Sequence, residues 1–188
     1  LDIFNTDHFA SEGQHGPIVD WFRRRQIQVD LSLRSVDTTG FFDEVASTIG
    51  QDYVVLKDVL DRIRWAQHKE YSSTTIPLGK KPPDEARAIS AFCQQLYDFT
   101  FVEKCFHNRP ENNICLVIQT APAIRRFFAG EWLEWFALVT CLSFAKEGRR
   151  RISCARNLAI TLAHDQRHEI DVAGALAVAE EAALDPVR

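Results

Sequence analysis

The chain has 188 residues, with 22 Lys and Arg against 26 Asp and Glu, a formal charge of −4 at pH 7. At about 150 residues per domain this length holds one domain or two small ones. Hydrophobic residues at 46% and charged residues at 26% exclude a disordered or fibrous chain. The acidic balance argues against a dedicated non-specific nucleic-acid binder, which is normally basic. It does not exclude an enzyme that holds a metal among carboxylates and takes phosphates on local basic runs.

The longest apolar stretch, Trp132 to Ala145, is interrupted by Glu134 and is expected to be too short to cross a bilayer. Leu1-Asp2-Ile3-Phe4 has neither the basic flank nor the apolar core of a signal peptide. A start at Leu1 and a complete lack of Met are expected of a piece of a longer protein. The five cysteines, Cys93, Cys105, Cys115, Cys141 and Cys154, form no C-x-x-C pair and stand among apolar neighbours. That pattern reads as buried free thiols in a cytoplasmic, non-membrane protein. Cys105 and His107 are the nearest approach to a zinc pair, and two ligands two residues apart fall short of a structural site.

In chain order, Gly16-Pro17 breaks the chain and Ile18 to Phe22 starts a short helix or strand. Ile27 to Leu33 alternates apolar and polar residues, the period of a half-buried strand. Asp37-Thr38-Thr39-Gly40 marks a turn or the cap of a helix through Phe41 to Ile49. Helical spacing then runs from Tyr53 to about Glu70. Ser72 to Pro83 reads as a polar loop, and Pro82-Pro83-Asp84-Glu85 opens a helix with Ile89, Phe92, Cys93 and Leu96 on its apolar face.

Phe101–Phe106 and Ile114–Ile118 are β-rich runs around a turn-forming segment, His107 to Asn113, which signals a hairpin. Two helices and then a hairpin is the order of a winged-helix module. Its second helix carries only Arg87 as a base, so a structural or dimerising role is favoured over groove reading. After Pro122 the residues Ile124 to Leu142 are apolar on nearly all sides, as in a core helix. Arg151–Leu162 and a run from His168 to Val172 read as strands, and the Ala- and Glu-rich end reads as helical.

The informative unit is Gly130-Glu131-Trp132-Leu133-Glu134 on this apolar helix, followed by Glu169-Ile170-Asp171-Val172 on a strand. A carboxylate among Trp132, Leu133, Trp135 and Phe136 is costly to bury unless a cation meets it. Glu134 beside Asp171 makes a like-charge pair that a divalent cation resolves, and oxygen ligands suit Mg²⁺ or Mn²⁺. Each acid alone also fits an ordinary place, Glu134 as a half-exposed helix residue and Asp171 as a turn-facing strand residue.

Gly-x-Trp-Leu-Glu on a helix, Arg-x-Asn on a strand and Glu-Ile-Asp-Val on the next resemble the restriction-endonuclease-like PD-(D/E)xK fold. The likeness covers about residues 121–172 and is similar in particular to the nuclease part of CRISPR ancillary nucleases, which couple it to a sensor of cyclic oligonucleotides. It implies an α+β chain: a helical, winged-helix-like part over residues 1–120, then a restriction-endonuclease-like domain over 121–188, in which the absent Glu-x-Lys has three competing explanations: an inactive domain, another base, or residues missing after about Val172. It further implies metal-dependent hydrolysis of DNA or RNA with Glu134 and Asp171 as metal ligands, and a homodimer by analogy. In that family a later strand carries Glu-x-Lys; here Glu180 stands at a tolerable distance, Ala182 occupies the Lys position, and no Lys follows Lys146. The catalytic candidates are therefore Glu134, Asp171 and Glu180, with Arg149, Arg150, Arg151 and Arg156 as candidate phosphate contacts. The alternative is a nuclease-like domain without activity, serving as a nucleic-acid-associated or dimerisation protein.

Overall fold

The computed structural model describes residues 12–30, 41–147, 151–162 and 166–177. They combine helices with antiparallel sheets, an α+β chain as expected. Two compact units emerge: residues 39–136, and a second made of 1–38 with 137–188. In the second, strand pairing joins the beginning of the chain to its last third.

The contiguous unit starts with α2 (Phe42–Gln51), α3 (Tyr53–His68), β2 (Ser73–Pro77) and α4 (Pro83–Asp98), followed by β3 (Val102–Asn108) and β4 (Asn113–Ile118). The helix through Phe41 to Ile49, the helix from Tyr53 and the one opened by Pro82-Pro83 all form. Their buried faces repeat at helical spacing: Val45, Ala46 and Ile49; Leu56, Val59, Leu60 and Ile63; Ile89, Phe92, Cys93 and Leu96. The hairpin forms too, with Phe106 facing Cys115 and His107 facing Ile114.

The expected loop at Ser72–Pro83 contains a strand instead. Residues Ser73 to Pro77 pair antiparallel with β4 from Ser73↔Val117 to Pro77↔Asn113, giving a sheet of order β2-β4-β3. Four of those five residues are polar or Pro, so the segment has no apolar alternation. It is an edge strand held by β4 and buries only Ile76, at 2% exposure.

Next come α5 (Pro122–Arg126), a π-helical turn (Phe127–Glu131) and α6 (Trp132–Glu147). They make one helical run kinked at Gly130, whose φ of 152° belongs to glycine's range. Phe127 anchors the run: fully buried, its ring lies 5.0 Å from Phe101 and 5.4 Å from Phe42 and Phe128. Farther on, the expectation of a core helix meets a different outcome. Trp135 and Leu138 are buried, yet Leu133 and Phe144 are more than half exposed.

Among the described residues, Pro122–Phe144 is a 23-residue helical run holding an 18-residue window of mean hydropathy 1.2, long and apolar enough by length and composition to cross a membrane. This corrects the expectation of a stretch too short to span, which counts the helix from Trp132 rather than from Pro122. Arg125, Arg126, Glu131 and Glu134 fall within the run.

The other unit contains α1 (Glu12–Arg23), β1 (Gln28–Asp30), β5 (Arg151–Thr161) and β6 (Arg167–Ala177). Pro17 lies inside α1 rather than breaking the chain. β5 and β6 form a long antiparallel hairpin, from Arg151↔Ala177 to Thr161↔Arg167, and β1 pairs with β5 on the other side through Gln28↔Thr161 and Asp30↔Ala159. Helix α1 lays Ile18 and Phe22 against Ala155, Leu158 and Ile160, closing a small core. The expected strand at Ile27–Leu33 forms as β1 in its described part.

Three helices end alike. After α1, α3 and α4, the residues Gln26, Glu70 and Thr100 take φ of 59°, 57° and 62°. The next amide in each case bonds the carbonyl five residues back: Ile27 to Phe22, Tyr71 to Ala66 and Phe101 to Leu96, at 3.1, 2.9 and 2.7 Å. This is the Schellman closure, which satisfies the last helical carbonyls and normally uses glycine. Here polar residues accept the left-handed backbone so that an apolar residue follows.

Candidate functional site

Glu134 sits in the first turn of α6, just past the Gly130 kink. Aromatic packing fixes this turn within its unit. Trp132 stacks on Tyr53 at 5.5 Å and Trp135 on Phe42 at 5.7 Å, while the Glu131 carboxylate accepts a 2.9 Å hydrogen bond from Arg126 Nε. Phe136 lies against Gly50, where a side chain would overlap its ring. Glu134 is half-buried between these anchors and has an interaction partner of its own.

Asp171 lies on β6 between Ile170, paired with Leu158, and Val172, paired with Arg156. The order of elements is therefore helix with Glu134, long strand, then antiparallel strand with Asp171. Glu180, Arg149 and Arg150 lie outside the described residues. Arg151 opens β5. Arg156 is 5% exposed and has an interaction partner. Its guanidinium is thus held inside the unit, whereas a phosphate contact was expected at its surface.

Two carboxylates match the oxygen chemistry of Mg²⁺ or Mn²⁺ by type. Among the described residues, no group of three or more His, Cys, Asp or Glu is placed to hold a metal. The cysteines are free where described: Cys93 is buried, and Cys105, Cys115 and Cys141 are half-buried, less enclosed than expected. Burial pushes the Cys93 thiol up to about 12, with Cys105 adding to the shift. The Cys105 thiol is raised by burial and then by the Asp98 carboxylate. Neither is a ready nucleophile, since the thiolate is the reactive form.

The helical unit has the order helix, helix, strand, helix, hairpin. Its third helix, α4, exposes Asp84, Arg87, Gln94, Tyr97 and Asp98. The single base, Arg87, is paired with Asp84.

One feature gave no sequence signal. A cleft of about 710 Å³ opens between α3 and the α5–π-helical run, lined by Asp61, Arg64, Trp65, Gln67, His68, Arg125 and Ala129. Gln67 Nε2 and Arg125 Nε are buried there without a hydrogen-bond partner. Gln67 and Arg125 belong to different helices far apart in sequence, so no local spacing announces them.

No protein-family model matches the chain, and no curated protein does. Among solved structures it is similar to protein VC1899 from Vibrio cholerae, with TM-score 0.52 and 19% identity over 85% of this chain and 40% of that one. It is also similar to Can2 from Sulfobacillus thermosulfidooxidans, solved in complex with cyclic tetra-adenylate, with TM-score 0.52 and 15% identity over 82% of this chain and 37% of that one. The chain spans about two fifths of the length of each, and with them it shares a fold.

Proposed function

We propose that this chain is part of a metal-dependent nuclease that hydrolyses phosphodiester bonds of DNA or RNA. The observation that carries the reading is the element order: a helix with Glu134 in its first turn, then a long hairpin with Asp171 on its second strand. The fold shared with Can2 and the sequence resemblance to CRISPR ancillary nucleases support it. Glu134 and Asp171 would hold Mg²⁺ or Mn²⁺, which when bound polarises the phosphodiester and lowers the pKa of an attacking water. The chain's own residues hold each acid within its own unit. The Trp132–Tyr53 and Trp135–Phe42 stacks hold the turn that presents Glu134, and β5 fixes the register of Asp171. Glu180 is proposed as the third acid, and Arg149 to Arg151 as contacts for the phosphate backbone.

The helical unit is proposed to be a winged-helix-like module, from its β2-β4-β3 sheet with a strand between its second and third helices. A dimerising role suits it better than major-groove reading, because α4 presents more acid than base.

The test is cleavage of a plasmid and of an RNA in Mn²⁺, by wild type, Glu134→Gln and Asp171→Asn. The expected result is cutting by wild type and a loss of about a hundredfold or more in each variant, with folding retained. Equal cutting by all three, or none by the folded wild type, refutes the reading and leaves the inactive nuclease-like domain.

A further inference from the structure

We infer that the cleft between α3 and α5 is a binding site for a phosphate-bearing nucleotide unit, held by Arg125 and Gln67 and stacked on Trp65. This does not rest on the nuclease reading, since it uses neither Glu134 nor Asp171. The first observation is the cleft itself, whose roughly 710 Å³ falls in the range of small-molecule sites. The second is independent of its shape. Gln67 is only 8% exposed, and its amide nitrogen has no partner. Arg125 Nε is likewise buried and unpaired.

Buried polar groups in folded proteins are almost always satisfied, so two orphans in one cleft ask for a ligand. Both orphans are donors, and the missing group must therefore be an acceptor. Arginine has no acceptor capacity and matches planar or tetrahedral oxyanions with its fork of N–H groups. Arg64 and His68, four residues apart on α3, line the same cleft. Among the described residues lining it, the one acid is Asp61, which already faces Arg64 and Lys57 at 3.9 Å each. The lining thus favours an anion.

Trp65 decides between a bare anion and a nucleotide. Its indole is 53% exposed, an expensive placement for the largest aromatic side chain, and Tyr71 steadies it edge-on at 5.0 Å. An indole face beside a cationic grip is the pairing that takes a stacked base with its phosphate. The same chemistry serves a free nucleotide and a nucleotide within a single strand.

The experiment uses the full chain, titrated by calorimetry with AMP, inorganic phosphate and a mixed-sequence single-stranded hexaribonucleotide. AMP is expected to bind saturably and phosphate to compete with it. Arg125→Gln should weaken AMP by about tenfold or more. Trp65→Leu should weaken AMP by a similar factor and leave phosphate unchanged. Gln67→Leu guards against a folding artefact, because it removes an orphan donor from a buried place; it should keep thermal stability and still lose affinity. An RNA that binds more than about tenfold tighter than AMP assigns the site to a strand, and equal affinity assigns it to a free nucleotide. Failure of all three probes to bind the folded protein overturns the proposal, as does binding indifferent to Arg125→Gln and Gln67→Leu, in which case buried water satisfies the two donors. The cleavage assay of Glu134→Gln reports on the nuclease reading alone.

Discussion

The two units are built in contrasting ways. Residues 39–136 form one continuous stretch of chain that contains its own three-stranded sheet, β2-β4-β3. The other unit joins the first 38 residues to 137–188, and its β5–β6 hairpin gains β1 as a third strand from far back in the sequence. The first has fully buried residues on α2, α3, α4 and the π-helical turn; the second closes over Ile18, Phe22, Ala155, Leu158 and Ile160. The β5–β6 hairpin joins neighbouring segments, while adding β1 to β5 must close a long loop before that pairing repays it. The proposed catalytic acids are divided between these two kinds of structure, Glu134 in the continuous unit and Asp171 in the assembled one.

The largest test of this contrast is truncation of one core residue in each unit. Phe127→Ala removes a fully buried ring that meets three other aromatic rings, and should cost about 3–5 kcal/mol. Leu158→Ala, also fully buried but in a thinner core that can collapse around the gap, should cost about 2–4 kcal/mol. Denaturant titration of both variants checks the order, and a larger loss for Leu158→Ala would reverse the comparison.

Next in size is the kink before Glu134. Gly130→Ala has open space around its Cβ, so any loss comes from the backbone angle alone and should be about 1–3 kcal/mol. Thermal melting reads the stability. If the nuclease reading holds, cleavage should fall as well, because the kink sets the first turn of α6. A smaller, opposite effect belongs to the helix ends. Thr100→Gly relieves a left-handed φ of 62° and should stabilise by about 0.5–1 kcal/mol, measurable as a raised melting temperature.

The last prediction is silent at neutral pH. The Cys93 thiol is raised from 9.0 to about 12 in the folded chain, chiefly by burial. Its neutral form therefore contributes fully below pH 9, and that contribution is lost as pH rises from 9 toward 12, where the unfolded thiol ionises first. Denaturation at pH 8 and pH 11 should show a smaller fall in stability for Cys93→Ala than for wild type. Equal falls would mean that other alkaline groups account for the whole change.

The helices were legible because burial follows their period: Leu56, Val59, Leu60 and Ile63 announce α3 as plainly in sequence as in space. The β3–β4 hairpin was legible from its turn. The strand β2 was not, since Ser73 to Pro77 is polar and owes its conformation to β4, a partner reached only in the folded chain. The three helix ends were hidden for a related reason: the rule looks for glycine, and Gln26, Glu70 and Thr100 stand in its place. Within the candidate site, Glu134 and Asp171 could be placed on a helix and a strand from local pattern alone. Arg156 could not be read as buried, because charge patterns in sequence do not tell which arginine finds an interior partner.

By itself, then, the sequence determined what short-range physics controls, namely the helices, their apolar faces, the turn of the hairpin and the type of residue on each element. Tertiary structure decided the edge strand β2, the joining of the first residues to β5, and the kink of the long apolar run. It also decided that Gln67 and Arg125 line one cleft. Each of these depends on groups distant in sequence satisfying, or failing to satisfy, one another's hydrogen bonds and apolar surface, and no local spacing records that.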